Sequence, residues 1–272
     1  MSVKVKIRKE RVLVNGLAED LEGYRVLHVS DIHFDDAVRR NQLLRQEVRS
    51  GIADLILITG DFITLDINID GLVDFLDGSY AADGIFGILG NHDYYKRTLW
   101  HHVKHGLLKK EYAANDWQRL VSSLAGCGVR VFVNEHVLLR SHRGAKIFLE
   151  GTDDPVLGRP EISEVNRDYL SSDLRILMSH SPDILHFEGI AKKKFDLLLT
   201  GHTHGGQVRL PGIGPVFTGT RFATRRESYG FFRTTSGLHV SVSAGIGYSL
   251  LPIRINCEAE ITYIEFSRLN RS

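Results

Sequence analysis

Five short apolar runs constrain this chain more than any other feature: YRVLHVS at 24–30, DLILITGD at 54–61, GIFGILGN at 84–91, LRILMSH at 174–180 and FDLLLTGH at 195–202. They are rich in Leu, Ile and Val and do not alternate with polar residues. Such runs suit strands covered on both faces, as in a sheet packed between other layers. Between the first two, AVRRNQLLRQEVRSGI at 37–52 has helical spacing, with Asp35 or Asp36 placed to cap it and Gly51 to stop it. A strand, helix, strand unit results. The start, MSVKVKIRKERVLVNGL, alternates like a strand and lacks the apolar core of a signal peptide. LHVSVSAG at 238–245 and INCEAEITYIEF at 255–266 read as antiparallel strands. The expected fold is α/β, two stacked mixed sheets with helices outside. No repeat or linker interrupts it, so residues 1–272 are read as one domain.

Residues 94–121, YYKRTLWHHVKHGLLKKEYAANDWQRLV, break this rhythm with helical propensity. Lys96, Arg97, Lys104, Lys109 and Lys110 all precede the segment's first acid, Glu111. The segment reads as an inserted helical cap, able to close over a site and bind a second phosphate, a sugar or a lipid headgroup. A solvated helical face is the equally weighted alternative.

Each buried run ends in chemistry. Asp31 and His33 follow the first, Asp61 ends the second, Asn91 and His92 follow the third, His180 ends the fourth, and His202 and His204 follow the fifth. The carboxyl ends of strands are where α/β sheets bind ligands. If the extended conformation persists, a period of two puts Asp31 with His33, and His202 with His204, on one side. One such element would be a turn or a hydrogen-bonded core histidine; five together are not explained by turns. Two carboxylates, an amide oxygen and several imidazoles without sulfur suit Mn, Fe or Zn better than Ca, and make a Mg-only site less apt. Seven ligands are too many for one tetrahedral zinc but suit two divalent metal ions sharing a bridge. Two such ions bring +4 against the −2 of Asp31 and Asp61, leaving a positive site for a phosphate anion and hydroxide.

The formal net charge of the whole chain is only +1, so affinity for phosphate must be local, and nucleic acid is not an expected partner. Cys127 and Cys257 fit no metal or redox spacing and point to a reducing compartment, most simply the cytoplasm. No run is long enough to span a bilayer.

DIH at 31–33, GD at 60–61, GNHD at 90–93, SH at 179–180 and GHTH at 201–204 resemble, in order, the five blocks of calcineurin-like metallophosphoesterases. GHTHGGQVRLPGIG and GIGYSLLPIRINCEAEI further resemble one bacterial branch. That branch includes membrane-associated or exported phosphodiesterases and a pyrophosphatase acting on UDP-2,3-diacylglucosamine in lipid A synthesis. The resemblance implies an α/β/β/α sandwich. It also implies that Asp31, His33 and His204 hold one metal, that Asn91, His180 and His202 hold the other, and that Asp61 bridges them. Mn²⁺ is the expected ion pair, with Fe or Zn as alternatives. A bridging hydroxide, made acidic by two cations about 3.5–4 Å apart, would attack phosphorus in line. His92 would stabilise the phosphate and protonate the leaving oxygen.

One departure is visible. The protein-phosphatase branch carries GDxxDRG, whose second Asp orients the catalytic histidine; here Thr64 stands at that position and His92 lacks an assigned orienting partner. The expected function is therefore hydrolysis of phosphodiester or pyrophosphate bonds in a small-molecule or lipid-linked substrate, with peripheral membrane association in view. A nuclease or cyclic-nucleotide phosphodiesterase, and a non-catalytic metal-binding scaffold, are the alternatives. Hydrolysis of small diesters but not DNA, and turnover rather than metal binding alone, would separate them.

Overall fold

The computed structural model describes residues 4–39, 41–97, 112–249 and 252–269. One six-stranded sheet contains β1 (Val5–Val14), β2 (Arg25–Val29), β3 (Leu55–Thr59), β4 (Ile85–Ile88) and β5 (Val129–Phe132), and a second contains β6 (Glu135–Arg140), β7 (Lys146–Gly151), β8 (Leu174–Met178) and β9 (Leu197–Thr200). A short hairpin, β10 (Arg209–Leu210) with β11 (Gly214–Pro215), stands apart. β12 (Gly230–Arg233) and β13 (His239–Val242) complete the second sheet, in the order β12-β13-β9-β8-β7-β6. β14 (Ala259–Arg268) completes the first, in the order β1-β14-β2-β3-β4-β5.

The continuous apolar runs follow from the layering. In β3, Leu55 and Leu57 pack between the sheets with Ile147, Leu149, Ile176 and Leu199. Their neighbours Ile56 and Ile58 face the other way, against the helices carrying Leu44, Val48, Ile69 and Leu72. On the far face of the second sheet, Phe148, Leu177, Leu198 and Val240 are covered by Tyr169, Ile184 and Phe195. This is an α/β/β/α sandwich. Each fully buried Leu or Ile contributes about 1.5–3 kcal/mol relative to exposure, so both faces of a central strand must be apolar.

Two expectations are revised, and a third falls largely outside the described residues. The helix expected over 37–52 is two pieces, Asp36–Arg39 and Gln42–Arg49. Asp35 Oδ1 caps the first by accepting from Ala37 N and Val38 N, both at 2.8 Å, and Asn41 Oδ1 starts the second by accepting from Leu44 N at 2.8 Å. A side-chain acceptor at Asn41 competes with the helical bond, which spacing alone does not reveal. The second revision concerns β13 and β14, which lie in different sheets, each with one parallel and one antiparallel neighbour. Third, the helical insert at 94–121 falls largely on 98–111, outside the described residues. Its described flanks instead pair through an antiparallel bridge, Tyr95 with Ala114, before a helix over Trp117–Gly126. Cys127 and Cys257 are free thiols. Among the described residues no helix is long and apolar enough to cross a membrane.

Candidate metal centre

β2, β3 and β4 are adjacent and parallel in one sheet, as are β8 and β9 in the other. The loops leaving their carboxyl ends meet. Asp31, His33, Asp61 and His204 offer ligand atoms within 4.8 Å of one another, as do Asp61, His180 and His202, so Asp61 belongs to both groups. Asn91 joins the second through Oδ1, 3.2 Å from His180 Nε2. All seven side chains named from sequence are therefore brought together, and all but the half-buried His202 are buried.

The route differs from the period-two expectation. Asp31, His33, Asp61, His202 and His204 have φ of 48°, 41°, 52°, 67° and 49°. These left-handed residues are five of the eight non-glycine positive-φ residues described. The strands therefore end in sharp reversals rather than extended exits, and each such residue costs on the order of 1–3 kcal/mol that the surrounding fold must hold. Glycine supplies the remaining room. A Cβ on Gly90 would stand 2.3 Å from Asp61 Oδ1, and one on Gly201 would stand 2.2 Å from Asp31 Oδ2.

Donor atoms face one another with nothing of opposite kind between them. His33 Nε2 and His204 Nε2 are 3.1 Å apart, and His202 Nδ1 and His180 Nε2 are 3.3 Å apart. Asp61 Oδ2 stands 3.4 Å from both His33 Nε2 and His180 Nε2. Meanwhile the far nitrogens are engaged: His33 Nδ1 with Thr64 Oγ1 at 2.9 Å, His180 Nδ1 with Thr59 O at 2.8 Å, and His202 Nε2 with Gly219 O at 3.2 Å. Outer acceptors of this kind fix a ring's tautomer and aim its other lone pair inward. At His204 the outer neighbour is instead a donor, Arg254 Nη2 at 3.3 Å, which also bonds the carbonyls of Ala244, Gly245 and Gly247.

The electrostatics agree with a cation-binding pocket. Burial lowers His33 and His202 to about 4 and takes His204 well below the usual imidazole range, so these rings present lone pairs at neutral pH. Burial opposes a charge on His180 too, but Asp61, then Asp31 and Asp154, raise it well above the ordinary value. The carboxylates around His180 thus favour positive charge at this place. Burial would likewise raise Asp61, yet His180 and His92 hold it well below the usual carboxylate range. The donor set fits divalent metal ions.

Behind Asp31 runs a one-way chain of donors. Ser30 Oγ donates to Asp31 Oδ2 at 2.6 Å, Thr59 Oγ1 to Ser30 Oγ at 2.7 Å, and buried His28 Nε2 lies 2.9 Å from Thr59 Oγ1. Because the Thr59 hydroxyl proton is used on Ser30, His28 must carry its proton on Nε2, which leaves Nδ1 without a partner.

His92 is fixed by its backbone. Its N–H donates to Asp61 Oδ1 at 2.8 Å, and its carbonyl accepts from Asn115 Nδ2 at 2.8 Å. The ring stands edge-on to His33 at 4.7 Å, and Nδ1 has no partner. Thr64, at the departing position, bonds His33, and the carboxylate of neighbouring Asp93 accepts from Gly90 N at 2.9 Å and Ile63 N at 3.1 Å. Sequence reasoning missed Asn115, the Gly219 carbonyl and Arg254, because nothing local marks them.

A cavity of 510 Å³ opens over the cluster, with Asp61, Asn91, His92, His202 and His204 at its base. Val208, Val216 and Phe217 form an apolar wall, and Arg97 and Tyr112 also line it.

The model of the calcineurin-like phosphoesterase family matches residues 24–206. The chain is 27% identical to the phosphodiesterase YaeI of Escherichia coli, over 89% of this chain and 82% of that one. It is 31% identical to the uncharacterized metallophosphoesterase YkuE of Bacillus subtilis, over 92% and 81%. To YkoQ of the same organism, also an uncharacterized metallophosphoesterase, identity is 27% over 88% and 82%.

Proposed function

The chain belongs to the calcineurin-like phosphoesterase family and is a metal-dependent phosphoesterase, and from that premise we propose that it hydrolyses phosphodiester or pyrophosphate bonds at a dinuclear centre. Asp31, His33 and His204 hold one divalent ion, Asn91, His180 and His202 hold the other, and Asp61 serves both. The observation that carries this reading is the pair of buried ligand groups sharing Asp61. A donor set of oxygen and nitrogen without sulfur suits Mn²⁺, Fe or Zn better than Ca²⁺, and Mn²⁺ is the ion tested first. When bound, the ions supply Lewis acidity toward the phosphoryl group and toward the attacking water.

The protein's own groups do the rest. Thr64, Thr59 and Gly219 hold three imidazoles in register, and the Ser30 hydroxyl and the His202 amide hold Asp31. His92, whose Nδ1 has no hydrogen-bond partner, donates to the phosphoryl or leaving oxygen.

A finer reading concerns the substrate's other end. The stretch from Gly205 to Arg226 carries four arginines and no acid. Leu210, Ile213, Val216, Phe217 and Phe222 in it are exposed, and Val216 and Phe217 reach the cavity wall. An apolar wall with a basic, apolar rim supports a nucleotide-linked lipid such as UDP-2,3-diacylglucosamine and a peripheral position on an anionic membrane.

The test uses metal-free protein reloaded with Mn²⁺ and given a chromogenic diester, the matching monoester and UDP-2,3-diacylglucosamine. Wild type cleaves the diester or the UDP-lipid. His92→Ala lowers kcat by about 10²–10⁴-fold while still binding metal, and Asp61→Asn loses both. Metal binding without turnover of any of the three would refute the reading.

A further inference from the structure

Arg97 and Tyr112 face each other across the cavity mouth for a reason that can be read from register. Tyr95 pairs antiparallel with Ala114, and Lys96 N donates to Ala113 O at 2.8 Å. Continuing that register sets Arg97 opposite Tyr112, and the guanidinium lies 5.2 Å from the centre of the Tyr112 ring. Neighbouring side chains of an extended segment point to opposite sides. Lys96 accordingly turns away from the cavity and pairs with Asp66 at 2.9 Å, whereas Arg97 turns inward to line it beside Asp61, Asn91 and His92.

The two cations are in opposite conditions. Lys96 is neutralised by a carboxylate. Arg97 makes no ion pair with any described residue, and its buried Nε has no hydrogen-bond partner. It is the one formally positive side chain among the described residues lining the cavity. A buried guanidinium N–H without a partner costs free energy unless a ligand supplies an acceptor. Contact with the Tyr112 ring restrains the side chain, and the guanidinium fork has the geometry that recognises two oxygens of one phosphoryl group.

We propose that Arg97, packed over the Tyr112 ring, is a clamp for a second phosphoryl group, so that the preferred substrate class is a diester of pyrophosphate rather than of a single phosphate. The proposal rests on the dinuclear reading above, which accounts for the scissile phosphoryl. A substrate with one phosphorus engages the base of the cavity and leaves Arg97 unused. One with two engages both, and its organic arm lies along Val208, Val216 and Phe217.

The experiment compares Mn²⁺-loaded wild type with Arg97→Ala, Arg97→Lys and Lys96→Ala. Two quantities are read: the ratio of kcat/KM for a nucleoside diphosphate sugar to that for a chromogenic single-phosphorus diester, and the calorimetric affinity ratio of inorganic pyrophosphate to orthophosphate. Arg97→Ala should reduce both ratios about 10- to 100-fold, the loss of one charge-assisted pair. Arg97→Lys should recover part of it, because charge returns without the fork, and Lys96→Ala should leave both ratios where they were. Equal losses on both substrates, or ratios indifferent to Arg97, overturn the clamp. Wild type that cleaves the single-phosphorus diester without favouring pyrophosphate overturns the clamp and leaves the phosphoesterase reading standing. Should wild type turn over neither substrate, that reading fails and the affinity ratio alone decides the clamp.

Discussion

Replacing Gly201 with alanine would probe how closely the backbone of the last ligand loop is wedged against the first. A Cβ at this position would lie 1.9 Å from Ser30 Oγ and 2.2 Å from Asp31 Oδ2, and real Cβ contacts are essentially never under 3.0 Å. The Ser30 hydroxyl can rotate away, but in doing so it gives up its 2.6 Å bond to Asp31. The carboxylate, which also accepts from His202 N at 3.0 Å on each oxygen, must then retreat by about 1 Å. A misplacement of about 1 Å costs on the order of 10²-fold in turnover. Loss of ligand orientation costs about 10- to 100-fold in metal affinity. Overpacking itself lowers stability by about 1–3 kcal/mol. Titration calorimetry with Mn²⁺, diester kinetics at saturating metal and urea unfolding of the metal-free protein measure the three effects separately. Gly126→Ala is the control, since a Cβ there meets nothing within 4 Å and the residue ends a helix. Wild-type metal affinity and turnover in Gly201→Ala would refute the argument that Gly201 is required for space.

Thr64→Val removes the partner of His33 Nδ1 without changing side-chain shape. Metal affinity should drop about 10- to 100-fold, and Thr64→Ser should restore it in the same calorimetric titration. His28 gives a pH prediction: burial, aided by the charge of Arg8, lowers it to about 3. Between about pH 6.5 and 3 the unfolded chain binds a proton there that the folded chain does not, so this group makes stability fall as pH falls, by about 1.4 kcal/mol per pH unit. His28→Gln should show a shallower slope of urea stability over that window, and an unchanged slope would count against the assignment. Removing metal with a chelator should lower the unfolding temperature, and readdition at about 100 times Kd should restore about 2.7 kcal/mol. A melting temperature independent of metal concentration would argue against metal binding by the native state.

The layers were legible because burial on both faces leaves a mark in composition: LILIT in β3 has no polar position to spare. The gathering of Asp31, Asp61, Asn91, His180, His202 and His204 was legible for a related reason, as each ends a buried run whose neighbours share an edge. What sequence could not supply was the backbone path. Asp and His enter left-handed conformations without a distinguishing neighbour, so an extended exit and a sharp reversal look alike in DIH or HTH. Long-range partners were hidden as well. β13 and β14 alternate as expected, but which strands they join depends on contacts far along the chain. Asn115 reaches His92 from 23 residues away with no motif around it. The Arg97–Tyr112 contact depends on pairing between flanks of a segment that helical propensity reads as continuous.

The position of β14 has a consequence for how the protein is made. β14, which follows the other thirteen described strands in sequence, lies between β1 and β2, the first two of them. The turn just before it, Ala244–Gly247, packs on the Asp31 loop through Ile246 N and Gly247 N, which donate to Asp31 O at 3.2 and 2.8 Å. A nascent chain can form β2, β3 and β4 from local crossovers, but its first sheet stays split, with β1 unpaired, until β14 arrives. Contacts so distant in sequence form slowly because loop closure precedes any gain from pairing. All seven ligands precede β14 in the sequence, so a chain truncated before β14 should keep the ligand residues but present an open sheet edge beside the β2 strand that leads into Asp31.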